Sequence, residues 1–153
     1  IALVYSLAGT VFASDSDEDL LRARADGGER DSLELYFDCR AQDSMRKGGY
    51  GPGCAVVRLT PDLNGGGTLE PKIGGGLDFS GARIVSNRTE SGYRLEARIP
   101  LHGLKLAAGQ KAMGFDVGQR SVDAEGKLDL HLLWAGGDRN ARQTRGFGLL
   151  CLQ

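Results

Sequence analysis

The segment GYRLEARIPLHGL, residues 92–104, decides the fold class. Apolar residues occupy every second position from Tyr93 to Ile99, and charged residues occupy the positions between them. This two-residue period predicts a β-strand with one buried face and one polar face. Because a proline cannot donate a backbone hydrogen bond to a neighbouring strand, the strand is predicted to end at Pro100.

Similar patterns recur along the chain, separated by turn-forming residues. A short helix is predicted within residues 14–26, and the glycine-rich residues 64–76 are predicted to form a loop. Eight or nine short strands with at most one short helix indicate an all-β protein, a single antiparallel β-sandwich of jelly-roll type spanning residues 1–153. The predicted strands lie in residues 2–14, 31–39, 54–61, 82–86, 93–100, 111–123, 128–136 and 146–152.

Length and composition exclude several classes of function. The 153 residues are 41% hydrophobic, which is enough for one domain with a core. The net charge of −1 offers no basic excess for a nucleic acid. The sequence has no run of 18 apolar residues, so membrane insertion is not expected. The apolar start has no Met or basic region, and it is interpreted as a strand of a mature or trimmed domain.

Three cysteines leave two interpretations open. Cys39 and Cys54 stand at the ends of two predicted strands and could form a disulfide across the base of the intervening loop. Alternatively, all three are reduced, buried thiols. Cys151 alternates with Phe147 and Leu149 and is predicted to be a small core residue.

Five segments in order resemble carbohydrate-binding module family 9. In that family an Asp-x-x-Glu strand precedes a strand ending in Ile-Pro, which is followed by a Gly-Phe strand with an acidic turn, a Trp segment and a closing Phe-Gly strand. The resemblance covers about residues 2–152. Its segments are DSLELYFD (31–38), GYRLEARIPLHGL (92–104), GFDVGQRSVDAEGK (114–127), LLWAG (132–136) and GFGLLCL (146–152).

This resemblance implies a secreted, periplasmic or cell-surface β-sandwich, often stabilised by calcium and appended to a glycan-active enzyme. Sugar binders of the family hold the sugar between aromatic rings, because a sugar ring has an apolar face and hydroxyls that need polar partners. The chain departs from the family in having Leu101 where the family has Trp after Ile-Pro. With Trp134 as the only tryptophan, a clamp of two tryptophans cannot form.

The resemblance and the loop after residue 134 together suggest a sugar site. Trp134 would stack on the sugar, while Asp138, Arg139, Asn140 and Tyr50 would supply hydrogen bonds to the hydroxyls. The alternative is that Trp134 is a core residue at the end of a strand.

An acidic cluster suggests where calcium would bind. Asp15, Asp17 and Asp19 are closely spaced, and Asp38 at the end of its strand could join them. Calcium prefers several oxygen ligands, which this set could supply. The alternative is a solvated loop whose charges lie near a helix N-terminus.

Two other constellations favour structural roles over catalysis. Glu34 and Glu96 lie mid-strand, where a cross-strand ion pair is a better interpretation than the acid and base of a glycosidase. A Met and His pair could ligate haem in a related sandwich, although His131 is expected to be an exposed strand residue.

The sequence therefore predicts a non-catalytic carbohydrate-binding module whose partner is a polysaccharide or oligosaccharide. Two alternatives share the scaffold. One is a structural or protein-interaction module that has lost sugar binding, and the other is a haem-binding electron-transfer domain.

Overall fold

The computed structural model describes residues 3–6, 9–13, 20–27, 32–62, 64–89, 92–122 and 127–152. These residues form two antiparallel sheets and two short 3-10 helices, Leu101–Leu104 and Asp138–Ala141. The strands are β1 Leu3–Ser6, β2 Gly9–Ala13, β3 Leu20–Gly27, β4 Ser32–Asp38, β5 Cys54–Pro61, β6 Gly67–Ile73, β7 Arg83–Thr89, β8 Gly92–Pro100, β9 Ala112–Val122, β10 Leu128–Leu133 and β11 Gly148–Cys151. The predicted all-β antiparallel sandwich is confirmed.

Each sheet mixes strands from distant parts of the chain. The first sheet has the order β1-β2-β3-β8-β7, and the second has the order β10-β9-β4-β5-β6. Strand β11 pairs with the first part of β9, and β10 pairs with its last part. None of the helices in the described ranges is long enough to cross a membrane.

The main core lies between the two sheets. The alternation in β8 places Tyr93, Leu95, Ala97 and Ile99 in this core, as predicted. The second sheet contributes alternate residues of three central strands: Leu33, Leu35 and Phe37 from β4, Ala55, Val57 and Leu59 from β5, and Met113, Phe115 and Val117 from β9. Burial of these side chains is the main favourable contribution to the stability of the fold.

The described part of the segment predicted to contain a helix, residues 20–26, instead belongs to strand β3. Residues Leu21 to Asp26 alternate in hydrophobicity, and β3 pairs along its whole length with β8, from Leu20 opposite Pro100 to Gly27 opposite Tyr93. Pairing with a central strand therefore overrides the local helix signals. The aspartates proposed to cap the helix lie outside the described residues.

The glycine-rich region predicted to be a loop contains strand β6. This strand pairs with β5 at the edge of the second sheet, with a register shift between Val56 and Val57. Pro71 is tolerated there because an edge strand has one side without ladder bonds. Gly75 has a φ of +52°, and a Cβ atom at that position would overlap the carbonyl oxygen of Cys54, so the turn after β6 requires glycine.

All three cysteines are free thiols, so of the two interpretations left open the structure matches the reduced one, with Cys39 and Cys54 buried. Cys39 faces the main core, where its sulfur lies 4.0 Å from that of Met113. Cys54 faces the opposite side of the sheet, where its sulfur lies 3.5 Å from Asp38 Oδ1. Cys151 is exposed and not a core residue, because its neighbour Leu150 takes the inward position of β11.

Candidate functional site

The outer face of the second sheet, which points away from the main core, carries buried charges. Its central residues on β4 are Glu34, Tyr36 and Asp38, and β9 adds Asp116. All four are almost fully buried. Such burial on an outer face requires a cover and a polar partner for each charge.

Two loops cover one half of this face. We call residues 40–53 and 134–147 the cover. The two loops are hydrogen-bonded to each other. The Thr144 N–H donates to the Gly48 carbonyl at 2.7 Å, and the Tyr50 hydroxyl donates to the Asn140 carbonyl at 2.5 Å. Beneath them, the ring centroid of Phe147 lies 5.8 Å from that of Tyr36 and 6.2 Å from that of Tyr50. A second, smaller core thus forms outside the sheet.

Asp116 anchors the loop that follows β10. Its carboxylate accepts from the backbone N–H groups of Val117, Ala135 and Gly136 at 2.8, 3.0 and 2.7 Å, and from the Asn140 side-chain amide at 2.5 Å. The Asn140 side chain fits closely against Gly136 and Gly146, where any larger residue would meet it. Sequence reasoning missed Asp116, although an acidic residue amid the apolar positions of β9 was a signal.

Asp38 anchors the other loop of the cover. Arg40 Nε and Nη2 donate to its two oxygens at 2.8 and 2.7 Å, and the Arg46 N–H donates at 2.7 Å. Burial would raise the pKa of Asp38, but the hydrogen bonds from Arg40 and Arg46 hold it below the usual value. Both oxygens of Asp38 are thus engaged by Arg40 and Arg46, and its role as a calcium ligand stays a prediction.

Calcium itself stays a prediction. Asp15, Asp17 and Asp19 lie outside the described residues. Within the described ranges, no group of three or more His, Cys, Asp or Glu side chains could hold a metal ion.

The open half of the face centres on Glu34. Oε1 of Glu34 accepts from Arg58 Nη2 at 2.8 Å and from Arg120 Nη1 at 3.2 Å, while Oε2 accepts from the Tyr36 hydroxyl at 2.6 Å. His131 Nε2 lies 3.5 Å from Oε2. Burial would raise the pKa of Glu34, but the hydrogen bonds from Tyr36, Arg58 and Arg120 lower it, so the carboxylate is ionised at neutral pH.

Strand order explains this cluster. Arg58 lies on β5 and Arg120 on β9, the two strands that flank β4, and His131 lies on β10 directly opposite Arg120. The imidazole reaches Glu34 across Gly118, where a Cβ atom would lie 2.9 Å from His131 Nε2. The predicted cross-strand ion pair of Glu34 is confirmed. His131 faces this cluster and is only partly exposed, which sequence reasoning did not anticipate.

The five residues predicted to bind sugar do not form one site. Asp138 and Arg139 are exposed, and Tyr50 is half-buried. The Asn140 side chain is 1% exposed and is bound to Asp116, so its predicted contact with sugar is blocked by burial.

Trp134 lies on the opposite side of the second sheet from Tyr50. It is half-buried, packs against the main core, and its ring lies on Gly148. This packing matches the alternative interpretation of Trp134 as a core residue at the end of a strand.

For the haem alternative, the structure separates one of the possible Met and His pairs. Met113 lies in the main core, whereas His131 lies on the outer face of the same sheet. These two side chains therefore cannot ligate one iron atom.

Two surface grooves lie elsewhere. Their volumes are about 730 and 460 Å³, and both run past Ala107 and Gln110. Neither is lined by an aromatic side chain or a carboxylate. The open half of the sheet face offers richer hydrogen-bonding chemistry than either groove.

The two antiparallel sheets and the core between them define a class of protein, the antiparallel β-sandwich. Two solved structures share the fold. They are a family 9 carbohydrate-binding module from Caldicellulosiruptor kristjanssonii in complex with glucose and the same module with cellotriose. Each has a TM-score of 0.66 and 19% identity, and the match covers 99% of this chain and 74% or 72% of that one. The chain thus has the fold of a family 9 carbohydrate-binding module, and the resemblance seen in the sequence is confirmed.

Curated relatives are enzymes that match over a small part of their length. The chain is 29% identical over 143 residues to exoglucanase XynX of Acetivibrio thermocellus and 28% identical over 143 residues to endo-1,4-β-xylanase A of Thermoanaerobacterium saccharolyticum. It is 29% identical over 144 residues to endo-1,4-β-xylanase C of Paenibacillus barcinonensis. In each case 93% of this chain matches, but only 12% of the relative. No family model matches the sequence.

Proposed function

We propose that this chain is a non-catalytic carbohydrate-binding module and that it binds glycan on the open half of the outer sheet face. The observation that carries this proposal is the cluster around Glu34. It holds charged hydrogen-bonding groups on neighbouring strands, with Arg58 and Arg120 about one quarter exposed.

This arrangement suits sugar hydroxyls. An ionised carboxylate accepts hydrogen bonds and a guanidinium donates them, so the pair matches neighbouring hydroxyl groups that both donate and accept. The residues stand on paired strands and hold one another in place, which lowers the entropy cost of ordering them on binding. Tyr50 is the partly exposed aromatic of the cover on this side of the sheet.

The relatives support the same proposal. The two solved structures are described as sugar complexes, and the curated matches place a region like this chain within much longer enzymes. We infer that the chain is appended to a glycan-active enzyme outside the cytoplasm and directs it to a polysaccharide. The proposal includes a structural calcium ion held by Asp15, Asp17 and Asp19.

The test is titration with a panel of soluble oligosaccharides by calorimetry. Replacing Arg58 by Gln removes a charged donor from the site and is expected to weaken binding about tenfold or more. Arg83→Gln is the matched control, because Arg83 lies at the other sheet's edge strand and is exposed. If both variants bind sugar with equal affinity, the open half of the sheet face is not the binding site.

Tryptophan emission separates the two candidate sites. Trp134 lies on the core side of the sheet, so sugar bound beside Glu34 should leave its emission unchanged. If the emission shifts on binding and the Arg58→Gln variant still binds sugar, the sugar lies at Trp134, Asp138 and Arg139 instead.

A structural or protein-interaction module is the second candidate. The packing of Trp134 on the core and on Gly148 favours it, since the only tryptophan is then not a free stacking platform. Failure of the folded protein to bind any glycan of the panel would select this candidate.

A further inference from the structure

The charges around Glu34 do not balance. Arg58 Nη2 and Arg120 Nη1 lie 2.8 and 3.2 Å from the same oxygen, Glu34 Oε1. The single carboxylate of Glu34 therefore binds two guanidinium groups, so these three side chains together have one positive charge in excess. His131 Nε2 lies on the other side of the carboxylate, 3.5 Å from Oε2.

The neighbouring strand β6 contributes one charge of each sign, with Glu70 directly opposite Arg58. On β6, next to β5, Glu70 and Lys72 pair with each other at 2.6 Å and neutralise their own charges. Ser32 is the neighbouring outward residue of β4, and Gly118 is that of β9. Within the described ranges, the open half therefore holds two guanidinium groups against one carboxylate, and Asp116 in the covered half, which is bound by neutral donors, offsets part of this excess.

Both guanidinium groups have donors to spare. Arg58 binds Glu34 through Nε and Nη2, and Arg120 binds it through Nη1. Arg58 Nη1 and the Nε and Nη2 atoms of Arg120 are not used in these bonds to Glu34. The two side chains are 26% and 27% exposed, so an incoming ligand can reach these donors.

We infer that the open sheet face prefers an acidic glycan, one that carries a uronic acid residue, over a neutral glycan of the same size. This inference rests on the proposed function of the face. The ligand's carboxylate would accept from Arg58 and Arg120 on the side away from Glu34, and it would neutralise the excess charge. Hydrogen bonds between guanidinium and carboxylate are shorter and stronger than those to a neutral hydroxyl.

The experiment compares an oligosaccharide containing one glucuronic acid residue with its carboxyl-reduced, neutral counterpart. Calorimetric titration at low salt is expected to show about tenfold tighter binding of the acidic sugar. The preference should shrink at about 0.5 M salt, because the Debye length is then well below about 10 Å and the charges of the face are screened from the ligand. Arg58→Gln and Arg120→Gln should each reduce the preference, and Arg83→Gln should leave it unchanged.

Three results would overturn the inference. If both sugars bind equally well, the face binds glycan without selecting charge, and the proposed function survives. If neither sugar binds to the folded protein, the proposed function fails as well. If a short polyglutamate peptide competes as well as the acidic sugar, the face recognises carboxylates in general and not an acidic glycan.

Discussion

The two halves of the outer sheet face use buried carboxylates in different ways. In the covered half, Asp38 and Asp116 accept mainly from groups of the loops that lie over them. In the open half, Glu34 accepts from side chains of the sheet itself, contributed by Arg58, Arg120 and Tyr36. Similar chemistry therefore fixes loops in one half and leaves a charged surface in the other.

This difference indicates a structural role for the covered half, and it supports the binding role that we propose for the open half. A carboxylate surrounded by backbone N–H groups has no capacity for a ligand, and its removal leaves buried donors without partners. A carboxylate surrounded by partly exposed arginines shares its environment with solvent, and a ligand can replace that solvent. Substitutions in the covered half should mainly lower stability, whereas substitutions in the open half should mainly weaken binding.

The largest effect is expected for Asp116→Ala. This change leaves three backbone N–H groups and the Asn140 amide without their acceptor, and it should lower the free energy of unfolding by about 3–5 kcal/mol. Urea denaturation followed by circular dichroism measures the loss.

Asp138→Ala is the matched control for Asp116→Ala. Asp138 is an exposed aspartate of the same loop, and its replacement should change stability by less than about 0.5 kcal/mol. A similar loss in both variants would show that Asp116 does not anchor the cover.

A smaller effect is expected for Asp38→Asn. The change removes the ionised partner of Arg40, which stays partly exposed and can recover water, so the cost should be about 1.5–3 kcal/mol. Thermal melts of the wild type and the variant, each with calcium or with a chelator, measure this cost and test the calcium proposal together.

The chelator should lower the melting temperature of the wild type and of Asp38→Asn by the same amount. A native-state calcium site stabilises the fold by mass action, and the ion pair of Asp38 with Arg40 leads us to expect that Asp38 is not one of its ligands. A larger chelator effect in the wild type would return Asp38 to the calcium site, and no effect in either protein would remove the calcium proposal.

The smallest effect on stability is expected for Glu34→Gln, and it should depend on pH. The pKa of Glu34 is lowered in the folded state from a usual value of 4.5, so its carboxylate stabilises the fold above about pH 4.5. That contribution is lost as the pH falls below 4.5 through the folded-state pKa. We expect a difference of about 1 kcal/mol between wild type and variant at pH 7 that vanishes in acid.

Urea denaturation of both proteins between about pH 2.5 and 7 measures this difference. A difference that persists unchanged at the lowest pH would mean that packing, and not charge, accounts for the role of Glu34. Arg58→Gln tests the same half by binding, where its effect should exceed its effect on stability.

Periodicity predicted most of the strands because each sheet buries one face. The alternation in β8 and β4 is visible in the sequence, and the structure places both sets of apolar residues in the core. Strands β3 and β6 were not predicted, because their strand conformation depends on pairing with β8 and β5 and not on local sequence preference. Arginine and alanine are good helix formers, and Gly67 and Pro71 are unfavourable in strands, so local propensity gave the wrong answer in both.

The candidate site was only partly predictable. The ion pair of Glu34 was expected from its mid-strand position, but Arg58 and Arg120 lie 24 and 86 positions away, and only the strand order brings them to one carboxylate. For Asp38, Arg40 two positions later was a local signal that favoured an ion pair over a metal. The burial of Asn140 depends on Asp116, and no local pattern revealed that contact.

The anchoring of the cover on two buried carboxylates has a consequence for how such a module diversifies. Asp116 with Asn140 fixes one loop, and Asp38 with Arg40 fixes the other, while exposed positions such as Asp138 and Arg139 make little contribution to that attachment. Sequence drift or laboratory randomisation at those exposed positions should therefore be tolerated, and the two anchors mark where donor loops from other sandwiches could be joined. A library built in this way would leave the arginine-lined surface unaltered while new contacts are selected along its border.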